Sequence, residues 1–170
     1  MDRVAELVAQ FEATPDGEDD GHAKVEVVLE LEDHLTDPRA LDLFATVIAD
    51  PAEYDLARIE CIKILRLEPP AGGDDRRQIG LTIAAVLDPD DDYLVRQYAA
   101  MALGPYAQEP AVFDAISTAV TGDDDVDVRH NALESVIEAG PGDRTRALLQ
   151  QLTDDPELGK AATRILQEWR

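Results

Sequence analysis

The chain has 170 residues, one cysteine and a formal net charge of −22, because 37 aspartates and glutamates oppose only 15 lysines and arginines. The single cysteine excludes a disulfide scaffold, and no apolar run approaches the roughly 18 residues that a membrane-spanning helix needs. The charge disfavours binding to nucleic-acid phosphates and to anionic membrane surfaces, since all of them are negative.

The acidity has two competing explanations. Abundant aspartate with only three lysines, Lys24, Lys63 and Lys160, is typical of proteins from salt-loving organisms, whose repulsive surface charge is screened by salt. A GC-rich genome, in which arginine codons replace lysine codons, accounts for the scarcity of lysine equally well. Aromatic residues make up 5% of the chain, so the core consists of Ala, Val, Leu and Ile, which favours close helix packing.

Residues 1–36 are predicted to form an atypical N-terminal capping pair of helices. The stretch "MDRVAELVAQ" reads as an amphipathic helix that carries acids, unlike a signal peptide, and we therefore expect a cytoplasmic protein. The stretch "DDGHAKVEVVLEL" is a weak first copy of a repeat that becomes clear further along the chain. Within it, "KVEVVLELE" has the propensity of a strand, but the repeat register favours a helix.

The clearest pattern is an internal repeat. The stretch "DPAEYDLARIECIKIL" at 50–65 matches "DPDDDYLVRQYAAMAL" 38 residues later, and "DDDVDVRHNALESV" follows after a further 33 residues. A fourth copy, "DPELGKAATRIL", ends the chain with Gly159 in place of the arginine that the other copies carry. Including the weak first copy, the spacings are about 34, 38, 33 and 30 residues, which is the range of helical repeat proteins.

A second helical segment precedes each copy. These segments are "PRALDLFATVIA", "RRQIGLTIAAVL", "EPAVFDAISTAV" and "DRTRALLQQL", and each places its apolar residues at the spacing of a helix with one buried stripe. Gly and Pro pairs at 69–70, 104–105 and 140–141 end the helices of the repeat copies. The prediction is an all-α fold, an α-solenoid of about five antiparallel helix pairs in a single domain over 1–170, with four clearer repeats over 37–170.

This pattern resembles the HEAT-repeat family, particularly the short-repeat form seen in phycobilin-lyase-like proteins. The resemblance rests on "DPDDDYLVRQYAAMALG" and "DDDVDVRHNALESV", covers 37–170 well and covers 1–36 poorly. It implies that Arg58, Arg96 and Arg129 form a hydrogen-bonded ladder with the Asp-rich turns of neighbouring repeats. Gly159 departs from the pattern, which fits a terminal capping repeat.

The residues give no support for a catalytic centre, a metal site or a cofactor. "DDDVDVRHNALE", counted from Asp123, places Asp125, Asp127 and Glu134 at EF-hand spacing, but Val128 stands where that loop requires glycine. The histidines His22, His34 and His130 lack the spacing of a zinc site. Cys61 occupies an alanine position of the repeat and is expected in the core. The aspartates before each repeat helix are interpreted as helix caps.

A partner surface is predicted on the concave side of the solenoid, where the repeat helices turn away from their buried stripe. One interpretation is that this face holds a peptide segment, with an acidic peptide as a candidate. The alternative is that its basic residues only offset the field of the Asp-rich turns. The predicted residues of the face are Ile59, Lys63, Tyr93, Gln97, Met101, His130, Glu134, Lys160 and Arg164.

The leading functional prediction is a non-enzymatic scaffold or adaptor that binds a protein or peptide partner of unknown identity through this face. The alternative, implied by the resemblance alone, is an accessory or lyase-like protein that acts on a chromophore-bearing or other protein substrate. A third class, a HEAT-type fold that binds DNA for repair, is disfavoured by the net charge. The sequence does not determine the oligomeric state.

Overall fold

The computed structural model describes residues 2–15 and 18–170, except for the side chains of residues 18–20. Its described residues form ten α-helices and no strand. The helices are α1 (Arg3–Ala13), α2 (Glu18–Leu31), α3 (Pro38–Ala49), α4 (Asp55–Leu67), α5 (Gly73–Ala85), α6 (Tyr93–Ala102), α7 (Pro110–Gly122), α8 (Val126–Ala139), α9 (Asp143–Leu152) and α10 (Gly159–Glu168). Two short 3-10 turns, Glu32–His34 and Gly104–Tyr106, follow α2 and α6.

The ten helices pack as five consecutive antiparallel pairs, α1–α2 to α9–α10. The first four pairs stack closely on one another, and the last pair is joined to them through side chains, among them Arg129 with Asp155 and Arg144 with Asp114. The prediction of an all-α solenoid is therefore confirmed. The ambiguous stretch "KVEVVLELE" is helical from Lys24 to Leu31 and lies in α2. The division into a capping pair over 1–36 and four repeats over 37–170 stays a prediction, and the side chains of Asp19 and Asp20 in the weak first copy lie outside the described residues.

Local sequence explains where the second helix of each pair begins and ends. The Asp92 carboxylate accepts hydrogen bonds from the backbone N–H groups of Leu94 and Val95 at the start of α6. Asp125 does the same at the start of α8. Such caps satisfy donors that a helix leaves unpaired at its first turn. At the other end, α8 stops at Gly140, which has φ +81°, a left-handed conformation that favours glycine.

One continuous apolar core runs through the stack, from Leu7 in α1 to Ile165 in α10. Small side chains of the repeat, such as Cys61, Ala99 and Ala132, are fully buried. Because these side chains are short, neighbouring helices approach closely, as the scarcity of aromatic residues led us to expect. Among the described residues, no helix has both the length and the apolar character needed to cross a bilayer.

Candidate functional site

The second helices of the pairs (α2, α4, α6, α8 and α10) form the inner layer of the stack. The first four of them, α2, α4, α6 and α8, pack more closely against one another than the first helices of the pairs do. Arg66 of α4 lies 3.5 Å from a carboxylate oxygen of Glu138 in α8, two repeats away. Glu138 passes over Gly104, where an added Cβ atom would lie 2.7 Å from the Glu138 Cβ. Two helices that are not sequence neighbours thus approach across α6, so the inner layer is the concave side.

A ladder of ion pairs joins the inner helices to the following repeats. In each of four successive repeats, a cation on the inner helix reaches an acid in the turn before the next inner helix. The pairs are Lys24 with Glu53, Arg58 with Asp91, Arg96 with Asp123, and Arg129 with Asp155. We call Lys24, Arg58, Arg96 and Arg129 the ladder residues. They lie at one repeated position, so they give every inner helix the same register.

Arg58 is the ladder residue with the most complete hydrogen bonding. Its side chain is fully buried. The two terminal nitrogens each donate to one carboxylate oxygen of Asp91 at 2.7 Å, and Nε and Nη2 donate to the Ile48 carbonyl near the end of α3 at 3.1 and 2.9 Å. The hydrogen bonds from Arg58 lower the pKa of Asp91. One side chain therefore ties together the first helix of its own pair, its own helix and the next turn.

The other arginines of the ladder are less completely bonded. Arg129 donates from Nε to the Val120 carbonyl at 3.1 Å and from Nη2 to Asp155 at 2.5 Å. Arg96 donates to Asp123, but its Nε is buried and has no hydrogen-bond partner in the described part of the chain. An unpaired buried donor costs free energy, so the Arg96 pair is the weaker joint in the middle of the stack.

The Asp-rich turns are explained by these contacts. In the turn 88–92, Asp88 accepts from the backbone of Asp90, Asp91 binds Arg58, and Asp92 caps α6. In the next turn, Asp123 binds Arg96 and Asp125 caps α8. Each of these five aspartates is therefore bonded to a backbone N–H group or to an arginine of the stack. Among the described residues, no group of three or more His, Cys, Asp and Glu side chains is arranged to hold a metal ion.

Two further ionisable groups, the Cys61 thiol and the Tyr106 hydroxyl, are buried in the core. Cys61 is fully buried, and its burial raises the pKa of the thiol well above the usual value. The Tyr106 hydroxyl donates to the Leu65 carbonyl at 2.5 Å, and burial raises its pKa as well. Both groups stay protonated at neutral pH and are enclosed by the core, so neither is presented to a substrate.

The open side of the inner helices is a second repeated set of positions. It comprises the residues two before and two, five and nine after the ladder residue, which share one helix face. We call this set in α4, α6 and α8 the inner stripe. It consists of Leu56, Glu60, Lys63 and Leu67 in α4, of Leu94, Tyr98 and Met101 in α6, and of Asp127, Asn131, Glu134 and Glu138 in α8.

The chemistry of the inner stripe changes from helix to helix. In α4, Leu56 is 43% exposed and Leu67 is 77% exposed, the highest value for a large apolar side chain in the described part of the chain. In α6, Leu94, Tyr98 and Met101 are all half-buried. In α8, the stripe is acidic and exposed at Asp127, Glu134 and Glu138. Large apolar side chains that are exposed on a concave surface are typical of a surface that contacts a partner.

The repeat geometry agrees with the comparison with known proteins. A family model described as HEAT repeats matches residues 81–167, just over half of the chain. The chain belongs to the HEAT-repeat family. The matched region includes α6, α8 and α10, the inner helices with the Arg96 and Arg129 pairs. No curated protein and no solved structure is significantly similar to the chain. The phycobilin-lyase-like form of the HEAT repeat stays a prediction.

Part of the predicted partner face lies on the open side of the HEAT solenoid. Lys63, Met101 and Glu134 belong to the inner stripe, and Arg164 occupies the corresponding position of α10. Lys63 donates to Glu60 at 2.8 Å. Arg164 is 71% exposed and lies 3.8 Å from Glu168.

The remaining predicted residues lie on the side of the helix that faces the next repeat. Gln97 donates to Asp125 at 3.1 Å, and His130 Nε2 lies 2.7 Å from Glu157. Lys160 occupies the same position in the terminal helix α10, and Tyr93, 61% exposed, lies in the first turn of α6 one helical turn before Gln97.

The placement of Ile59 on an accessible partner face is wrong. Its side chain is only 4% exposed and belongs to the core. The sequence prediction assumed one buried stripe per helix, but an inner helix of a HEAT stack is covered by its own partner and by both neighbouring repeats. The uncovered face is consequently narrower and is turned by roughly 60–80° from the predicted one.

Sequence reasoning therefore missed Leu56, Leu67, Leu94 and Tyr98. The signal that would have found them was present in the repeat itself. If the arginine position points to the next turn, the residues about half a helical turn away from it lie on the open side of the helix.

Proposed function

We propose that the protein is a non-enzymatic scaffold or adaptor that binds a protein partner through the inner stripe. The observation that carries the proposal is that Leu56 and Leu67 are exposed on one face of α4 and that the corresponding face of the next inner helix, α6, is also apolar and half-buried. An exposed apolar face with polar margins is typical of interaction sites, and stacked repeats use their concave surface for binding.

The charge of the surface supports a protein partner over nucleic acid. The stripe adds the acidic side chains of α8 to a chain whose net charge is −22, and phosphates would be repelled by that field. We expect no membrane partner for the same reason. Leu67 and its neighbours provide contact area but no nucleophile, acid–base pair or metal ligand set, so binding is the activity that these residues support.

Site-specific cross-linking tests this proposal. A photoreactive amino acid replaces Leu67 on the inner stripe, and in a matched variant it replaces Thr118, an exposed residue of the outer helix α7. After irradiation in the native host, we expect discrete cross-linked proteins at position 67 that are missing at position 118. Identical cross-linked proteins at both positions, or none at position 67, would contradict binding through the inner stripe.

A further inference from the structure

The inner stripe has an apolar centre and acidic margins. The centre consists of the leucines of α4, between which the Lys63–Glu60 ion pair lies, together with Leu94, Tyr98 and Met101 of α6. On the C-terminal side, α8 contributes three exposed acids, Asp127, Glu134 and Glu138. On the N-terminal side, the corresponding positions of α2 hold the exposed His22, Glu26 and Leu29, and the exposed Asp33 follows in the 3-10 turn Glu32–His34. The sign of the charge is the same on both margins.

The cations near the stripe are already occupied. Lys63 binds Glu60 at 2.8 Å on its own helix, and Arg66 lies 3.5 Å from Glu138. Arg164, at the corresponding position of α10, lies 3.8 Å from Glu168. By contrast, Glu26, Asp127 and Glu134 form no ion pair within the part of the chain that the structure describes. The margins therefore present uncompensated negative charge beside an apolar strip.

We infer that the segment that binds this stripe is a peptide with apolar side chains flanked on both sides by lysine or arginine. This inference rests on the proposed function, and it reverses the acidic ligand considered from the sequence. The hypothesis of an acidic peptide requires Lys63 and Lys160 to be available cations. Lys63 is paired with Glu60, and Lys160 lies outside the inner stripe. Glu134 and its acidic neighbours, by contrast, lie on the margin of the stripe.

The two parts of the surface contribute differently to binding. Apolar side chains of the peptide lose contact with water against Leu56, Leu67 and Tyr98, which supplies most of the affinity. Basic side chains at both ends interact with the acidic margins, which fixes the position of the peptide and speeds its association. Affinity should consequently fall as salt screens the margins, but a salt-resistant apolar contribution remains.

An unbiased peptide library tests the inference without assuming a partner. The full chain is used to select from displayed random peptides of about sixteen residues, which as a helix span roughly 24 Å. We expect the enriched peptides to carry a group of apolar residues with lysine or arginine on both sides. Enrichment of acidic peptides, or no enrichment at all, would overturn the inference.

Variants show whether the selected peptides bind to the stripe. We expect the double substitution Leu56→Ser and Leu67→Ser to weaken their binding about tenfold or more. The control is Val126→Ser, since Val126 is 46% exposed but lies outside the stripe, and this variant should bind normally. Circular dichroism checks that both variants are folded. Equal binding by the double variant and the control would overturn the inference.

A charge exchange separates the margins from the apolar centre. Glu134→Lys should weaken a selected peptide about two- to fivefold, and a peptide with a flanking lysine changed to glutamate should regain that loss. The same loss without recovery would refute the ionic role of the margin. If cross-linking at position 67 succeeds but the library yields acidic peptides, only this inference fails. If cross-linking fails as well, the proposed function fails with it.

Discussion

The inner helices have two different sides. One side carries the same kind of residue in successive repeats, and the other side changes from repeat to repeat. On the side facing the next repeat, four successive helices carry a cation at the same position, and each cation binds an acid of the following turn. On the open side, the stripe changes from leucine in α4 to Tyr98 and Met101 in α6 and to acids in α8.

This contrast shows which residues hold the stack together and which are available to a partner. Consecutive repeats meet with the same geometry, so the same kind of ion pair recurs between them. A partner contacts different repeats with different parts of its own surface, so the open side is free to vary. Changes on the ladder side should therefore alter stability, and changes on the stripe should alter binding alone.

The largest expected effect is on the ladder side, at Arg58. Arg58→Met removes four hydrogen bonds and leaves Asp91 and the Ile48 carbonyl without their partner. We expect the free energy of unfolding to fall by about 3–5 kcal/mol, as measured by chemical denaturation. Arg77→Met is the control, because Arg77 is 61% exposed and pairs with Glu109 at the surface. A loss at Arg58 no larger than that at Arg77 would contradict the role of the ladder.

A smaller loss is expected at Arg96. Its Nε has no hydrogen-bond partner among the residues that the structure describes, and Arg96→Met removes that unpaired donor together with the bond to Asp123. The destabilisation should be smaller than at Arg58 by about 1–3 kcal/mol. The same denaturation experiment compares the two variants directly. Equal losses at the two positions would mean that the extra bonds of Arg58 contribute nothing.

Acid should weaken the Arg58–Asp91 pair in a defined pH range. The pair lowers the pKa of Asp91 in the folded state, so its stabilisation is complete above the usual aspartate pKa of about 3.9 and is lost as the pH falls through the lowered value. We expect the difference in unfolding free energy between wild type and Asp91→Asn to be constant above about pH 5 and to shrink below pH 4. A difference that does not change with pH would argue against this pair.

Salt should raise the melting temperature modestly, and this effect should depend on neither the ladder residues nor the inner stripe. The net charge of −22 repels itself in the folded state, and salt screens that repulsion. We expect molar salt to raise the melting temperature by roughly 2–4 °C or more, which corresponds to about 1 kcal/mol for a chain of this size. Wild type and Leu67→Ser should shift equally. A melting temperature independent of salt would favour the explanation by genome composition over adaptation to salt.

The fold was accessible from the sequence because the repeat constrains it several times over. The aligned positions of Arg58, Arg96 and Arg129, the apolar spacing and the aspartate caps all indicate stacked helix pairs. Even α2, whose residues have strand propensity, is helical because its neighbours require a helix there. Lys24 shows the same effect, since it binds Glu53 at 2.8 and 2.9 Å although its repeat copy is weak.

The open face was less accessible because it depends on how the helices are stacked. Gln97 and Ile59 occupy equivalent positions, yet Gln97 is half-buried and bonded to Asp125 whereas Ile59 is buried in the core. A helical wheel of one isolated helix cannot show that the neighbouring repeat covers this side. The curvature of the stack, visible in the approach of Arg66 to Glu138, is a tertiary property that no single repeat contains.

The most direct test of the separation between ladder and stripe measures partner binding and stability on the same variant. The double substitution Leu56→Ser and Leu67→Ser should change the unfolding free energy by no more than about 0.5 kcal/mol, because both side chains are exposed. It should also reduce recovery of the partner that wild type captures by about tenfold or more. Full recovery of that partner by a variant of unchanged stability would contradict the assignment of binding to the inner stripe.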